Sequence, residues 1–127
     1  KKQNGGVNFL ITDAGMQTFL RPALYNSIHN IVALNDSANE NKKYSIAGPI
    51  CETSDILAKN IFLPKQKSGN YLAICDTGAY GSVMASNYNS RGLPAEILVN
   101  QESFSIIHKP KTIEEYIQLD LIPNWLA

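Results

Sequence analysis

The sequence predicts a mainly β fold, a Greek-key-like barrel or sandwich with one short C-terminal helix, in a single domain over residues 1–127. Three observations carry that expectation: short β-branched and aromatic runs recur, turn residues separate them, and a single segment near the end shows helix signals. A length of 127 residues suits one compact core, and 44% hydrophobic with 17% charged residues sets the chain apart from disordered tails.

Val7-Asn8-Phe9-Leu10-Ile11-Thr12 reads as a strand that stops at Asp13-Ala14-Gly15, where aspartate and glycine supply turn chemistry. Residues 16–20 read as one helical turn. It ends before Arg21-Pro22, because a residue preceding proline is pushed out of the helical region, and Arg21 is left on a loop. A second strand is expected over residues 28–33, then a polar loop over residues 35–43 that is the most dispensable segment. Tyr44-Ser45-Ile46-Ala47 alternates as a short strand ended by Gly48-Pro49, and residues 50–55 follow as an irregular turn. Residues 71–75 are expected to be the best buried strand. They run into Asp76-Thr77-Gly78, an echo of the Asp13 corner. Residues 95–99 and 103–108 flank Asn100-Gln101-Glu102 as a hairpin. Thr112 caps a terminal helix, with Glu115 at the reciprocal capping position. Residues 7–110 are thus the expected β core, and residues 111–127 the helix and tail.

Lys plus Arg and Asp plus Glu each number 11, so no net charge recruits nucleic acid or an anionic membrane. A small ligand or a protein partner fits better. Cys51 and Cys75 are too few for a disulfide scaffold and lack the spacing of a zinc site, so they read as cytosolic thiols in a cytoplasmic protein. The basic start precedes an apolar stretch too short for a signal peptide, and no run is long enough to span a membrane. A chain without an initiator methionine, whose first apolar run begins almost at once, is expected to be a fragment or a processed product.

The best candidate site surrounds Cys51. A thiol beside Glu52, with a second acid at Asp55 on a loop opened by Gly48-Pro49, can serve proton transfer. Thiols ordinarily ionise near ~8.5, so a proton donor is an easier role at neutral pH than a nucleophile. A small buried thiol beside a solvated carboxylate is the commoner outcome for such residues. Arg21 and Tyr25 put a guanidinium and a phenol four positions apart, a pair suited to a carboxylate or phosphate, against a surface arginine beside a core tyrosine. Tyr80, between Ala79 and Gly81, offers a hydroxyl where backbone can approach a ligand, and packing at a strand end explains it equally well. His29 and His108 have no partners at metal-ligand spacing and read as structural or solvated. No metal site is expected. The lysines all stand in polar contexts unsuited to covalent catalysis, and no glycine-rich phosphate cradle is encoded.

Asp13-Ala14-Gly15-Met16, Arg21-Pro22-Ala23-Leu24-Tyr25, Gly48-Pro49-Ile50-Cys51-Glu52, Gly78-Ala79-Tyr80-Gly81 and Ser86-Asn87-Tyr88-Asn89-Ser90-Arg91 occur in that order, and Pro94-Ala95-Glu96-Ile97-Leu98-Val99 follows. Together they resemble the carboxy-terminal half of the diaminopimelate decarboxylase family, within the alanine-racemase-like pyridoxal-phosphate enzymes. The resemblance implies a β-domain whose companion (β/α)8 barrel is absent from this chain. That barrel would hold the cofactor lysine and most contacts to pyridoxal 5'-phosphate. It implies Cys51 as the acid that returns a proton to the α-carbon after carbon dioxide leaves. Glu52 would recognise the distal amino group of meso-diaminopimelate, Arg21 and Tyr25 would bind substrate, and Tyr80 would contact both substrate and the cofactor phosphate. It further implies a homodimer in which the Cys-Glu pair reaches the partner's active site, and an inactive isolated fragment.

Two departures stand out. The family's usual Cys-Glu-Ser-Gly-Asp reads Cys51-Glu52-Thr53-Ser54-Asp55, and its Phe-Ser-Met-Ser-Ser reads Ser82-Val83-Met84-Ala85-Ser86. Ornithine, arginine and carboxynorspermidine decarboxylases are the alternatives within the class, and Glu52 favours diaminopimelate. A non-catalytic β-barrel binding or assembly module is the alternative outside it.

Overall fold

A computed structural model of the chain describes residues 2–4, 6–35 and 40–126. They fall into two compact units, Lys1–Ala85 and Ser86–Ala127. In the first, β1 (Lys2–Asn4) pairs antiparallel with β2 (Val7–Ile11), β2 runs parallel to β4 (Asn41–Ala47), and β4 pairs antiparallel with β5 (Ile56–Pro64). A second sheet joins β3 (Ile31–Ala33) to β6 (Leu72–Ile74). The architecture is mainly β, as expected from the sequence, but its sheets of four, two and two strands do not close into a barrel among the described residues.

The core gathers Leu10, Phe19, Ile31, Tyr44, Ile46, Leu57 and Leu63. Central β4 buries Tyr44, Ser45 and Ile46 in succession, a pattern that requires cover on both sheet faces. Its buried hydroxyls are used: Gln66 N–H donates to Tyr44 Oη at 3.1 Å and Asn60 N–H to Ser45 Oγ at 3.4 Å.

β2 and β4 are neighbours pointing the same way, with Leu10 opposite Ile46 and Ile11 opposite Ala47. Thr12 N–H extends the ladder to Ala47 O at 2.9 Å. Two corners far apart in sequence, Asp13–Gly15 and the loop after Ala47, therefore open at the same sheet edge.

Several local expectations change. Residues 16–20 form a turn, with Thr18 and Phe19 N–H both bonded to Gly15 O, and the helix α1 (Arg21–Tyr25) starts one residue later. Pro22 occupies its first turn, where a missing N–H leaves no helical bond unmade. Arg21 is therefore helical rather than loop-borne. β5 carries no clear sequence alternation, a left-handed Asn60 (φ 57°) interrupting it, and pattern reading misses it as it misses the short β1. The best buried strand is β4, while β6 is short and half-buried. A second helix, α2 (Ala79–Val83), follows the Asp76 corner. Of the expected polar loop, Asn41 to Lys43 belong to β4 and residues 36–39 lie outside the described residues.

In the second unit the hairpin forms as expected, β7 (Glu96–Asn100) against β8 (Ser103–His108), and Gln101 in its turn takes φ 54°. α3 (Ile113–Ile117) has its capping box: Thr112 N–H donates to Glu115 Oε2 at 2.7 Å, and Glu115 N–H to Thr112 Oγ1 at 3.3 Å.

Candidate active site

Residues 51–54 form an arch in the β4–β5 connection. All four are exposed, while the feet of the arch, Ile50 and Asp55, are 7% and 2% exposed. The thiol of Cys51 thus stands in solvent rather than packed as a small hydrophobe. Ser54 Oγ lies 3.1 Å from Glu52 Oε2 and donates to it, orienting the carboxylate along the arch. Neither Thr53 nor Ser54 is among the described residues with positive φ, so the serine in place of the family's glycine fits without backbone strain.

Asp55, the second acid near the thiol, has its carboxylate engaged by backbone. Met16 N–H donates to Oδ1 at 2.7 Å and Ile50 N–H to Oδ2 at 2.8 Å. Two glycines make room for it. A Cβ on Gly15 would stand 2.8 Å from both carboxylate oxygens, and one on Gly48 would strike the same oxygens and the Gly15 Cα. Sequence reasoning missed this fixture. Its one signal was a glycine in each of the two corners that the parallel strands bring together.

The second group of candidates does assemble. Arg21 and Tyr25 lie four residues apart on α1 and so share a face, with the Arg21 Cζ 5.3 Å from the Tyr25 ring centroid. The corner after β6, where Asp76 and Gly78 take φ 56° and 49°, turns the chain into α2 and brings the Tyr80 ring to 4.9 Å from the same guanidinium. Both rings remain more than half exposed, Tyr25 at 59% and Tyr80 at 57%, so Tyr25 is not a core tyrosine. The two Asp-x-Gly corners are thus alike in use, each carrying a strand end into a helix that bears site residues.

Arg21, Tyr25 and Tyr80 form one cluster, and Cys51 and Glu52 stand on the arch. A cleft between the segment Pro22 to His29 and β5 reaches Thr53 and Ser54 of the arch but is lined by neither Cys51 nor Arg21. A half-buried cation held between phenols suits an anionic group, and an exposed thiol beside a carboxylate suits proton delivery and ammonium recognition. His29 is structural, its Nδ1 3.1 Å from Cys75 O, its Nε2 3.2 Å from Ser27 Oγ, and its ring edge-on to Phe19. His108 lies 3.6 Å from Glu96 on the hairpin.

Comparison with known proteins identifies the family. Residues 1–78 match the family described as pyridoxal-dependent decarboxylase, C-terminal sheet domain. The diaminopimelate decarboxylase of Archaeoglobus fulgidus is 38% identical over 125 residues, which cover 98% of this chain and 30% of that protein. The enzyme of the same name from Haemophilus influenzae is 43% identical over 120 residues, covering 94% and 29%. The crystal structure of diaminopimelate decarboxylase from M. jannaschii is similar with a TM-score of 0.93 at 37% identity, across 99% of this chain and 29% of that one. The chain spans about 30% of the length of the curated relatives it matches. These matches lead to one assignment: the chain belongs to the pyridoxal-dependent decarboxylases, as their C-terminal sheet domain.

Proposed function

We propose that this chain is the C-terminal part of an enzyme that converts meso-2,6-diaminopimelate to L-lysine and carbon dioxide. The observation that carries the reading is the exposed arch, which presents Cys51 and Glu52 to solvent. A relative crystallised with L-lysine, 37% identical to this chain, supports the product.

Cys51 holds the proton that replaces the lost carboxyl group on the α-carbon. Glu52 and Arg21 carry opposite charges and match the ammonium and carboxylate of the distal end, so a substrate lacking that end forfeits both contacts. Tyr25 and Tyr80 flank the guanidinium and keep it directed at substrate. The acid that follows the thiol is a glutamate, which favours diaminopimelate over ornithine, arginine or carboxynorspermidine.

The residues present fit pyridoxal 5'-phosphate in part. The exposed Tyr80 phenol is a hydroxyl donor suited to its phosphate. No lysine with a described side chain is buried, which supports a cofactor lysine in a (β/α)8 domain outside this chain. When bound, the cofactor supplies the electron sink for the pair left on the α-carbon. An exposed arch also fits a homodimer in which Cys51 and Glu52 serve the partner's active site, in the cytoplasm. Ile97, Leu98, Val99, Phe104 and Ile106, each more than half exposed on the β7–β8 hairpin, are surface of the kind that another protein layer covers.

Assay of the full-length enzyme tests the reading. Carbon dioxide release from meso-diaminopimelate is expected to exceed that from ornithine, arginine and carboxynorspermidine, and Cys51→Ala is expected to lower kcat about 100-fold or more with a smaller change in KM. Preference for another of these substrates would reassign the enzyme. Undiminished turnover in Cys51→Ala would remove the thiol from its role.

A further inference from the structure

We propose that Asp55 is a positioning residue for Cys51: its carboxylate clamps the base of the arch to the Met16 corner that leads into the Arg21 helix. The inference rests on the reading of Cys51 as the proton donor and adds to it the group that fixes where that donor stands.

Asp55 closes the loop with every polar group it has. Its Oδ2 accepts from Ile50 N–H, the residue next to Cys51, at 2.8 Å. Its own N–H donates to Glu52 O at 3.2 Å, and its carbonyl accepts from Gly48 N–H at 3.0 Å. The arch has no buried residue of its own, so its two feet decide where the thiol goes. Meanwhile Oδ1 accepts from Met16 N–H at 2.7 Å, across 39 residues of sequence. Met16 belongs to the turn from which α1 emerges, so one carboxylate references the thiol and the Arg21 guanidinium to each other.

The seat accepts little else. The carboxylate lies so close to Gly15 and Gly48 that a Cβ on either would collide with its oxygens. Asparagine keeps the size but presents an NH2 group that cannot accept an N–H, leaving one buried amide unpaired. Proton transfer depends on placement to within about 1 Å, and loss of that placement costs on the order of 100-fold. An effect of that kind vanishes once the thiol is gone, whereas a general loss of stability does not.

A double-mutant cycle in the full-length enzyme separates the two. Asp55→Asn is expected to lower kcat by about 10- to 100-fold. Combined with Cys51→Ala, it is expected to add less than about threefold to the loss from Cys51→Ala alone. Losses that multiply, or an Asp55→Asn enzyme with full turnover, would overturn the positioning role while leaving Cys51 as the acid. Full turnover in Cys51→Ala would instead overturn the proton-donor reading, and the positioning role with it. Gly15→Ala perturbs the same carboxylate from the opposite side, and it decides the matter by the same cycle if Asp55→Asn does not fold.

Discussion

The guanidinium of Arg21 lies 4.9 Å from the ring centroid of Tyr80, although the two residues sit on different helices reached through different strand-end corners. With Tyr25 at 5.3 Å as its other ring contact, the cation lies against aromatic rings, and no ion pair to a carboxylate is formed among the described residues. Its hydrogen-bonding fork is therefore available to a ligand. Arg21→Lys removes that planar fork and keeps the charge. In the full-length enzyme KM for diaminopimelate is expected to rise about 10- to 100-fold, the equivalent of one charge-assisted hydrogen bond, with kcat changed by only a few fold. A steady-state titration yields both constants, and an unchanged KM would place the distal carboxylate elsewhere.

Tyr80→Phe keeps the ring under the guanidinium and deletes the hydroxyl. If that hydroxyl donates to the cofactor phosphate, equilibrium binding of pyridoxal phosphate weakens about tenfold. Tyr80→Ala also loses a cation–π contact of ~0.5–1 kcal/mol, and its affinity is expected to fall a few fold further. Equal affinity for wild type and Tyr80→Phe would confine Tyr80 to holding Arg21.

Ile46 on β4 is 1% exposed and belongs to the core, so Ile46→Ala leaves a cavity that its neighbours fill poorly. The expected loss is about 2–5 kcal/mol in urea unfolding. Lys43→Ala, at an exposed position of the same strand, is expected to change stability by less than about 0.5 kcal/mol. Equal losses at the two positions would contradict the placement of the core.

Hydrogen bonds from Lys42, then from Lys65, hold the Glu40 carboxyl below its ordinary value of 4.5. A carboxyl whose folded-state pKa is depressed adds stability above its unfolded pKa and loses it as pH falls through the folded one. Glu40→Gln is therefore expected to lower Tm slightly at neutral pH, with the difference closing in acid below the ordinary value of 4.5. The pair is solvent-exposed, with the Lys65 and Glu40 side chains 48% and 56% exposed, so high salt should also close the difference. A difference that grew in acid would contradict the ion pairs.

What the sequence determined by itself is what neighbouring residues decide. The run Val7 to Ile11, the hairpin around Gln101 and the Thr112–Glu115 capping box all depend on contacts a few residues apart, and all form where expected. The ordered motifs around Arg21, Cys51 and Tyr80 pointed to the family for a related reason, since side-chain identity is carried in the sequence whatever the packing. Tertiary structure alone decided that β2 and β4 lie side by side and parallel. That pairing sets the Asp13 corner against the Cys51 loop and makes Asp55 a buried fixture bonded to Met16 across 39 residues. It also decided that Asn60 interrupts a strand and that Arg21 stands on a helix between two phenols. Local propensity is silent on such matters. A carboxylate's environment is set by which backbone amides the rest of the chain brings to it, and that choice is settled only when distant strands share one core.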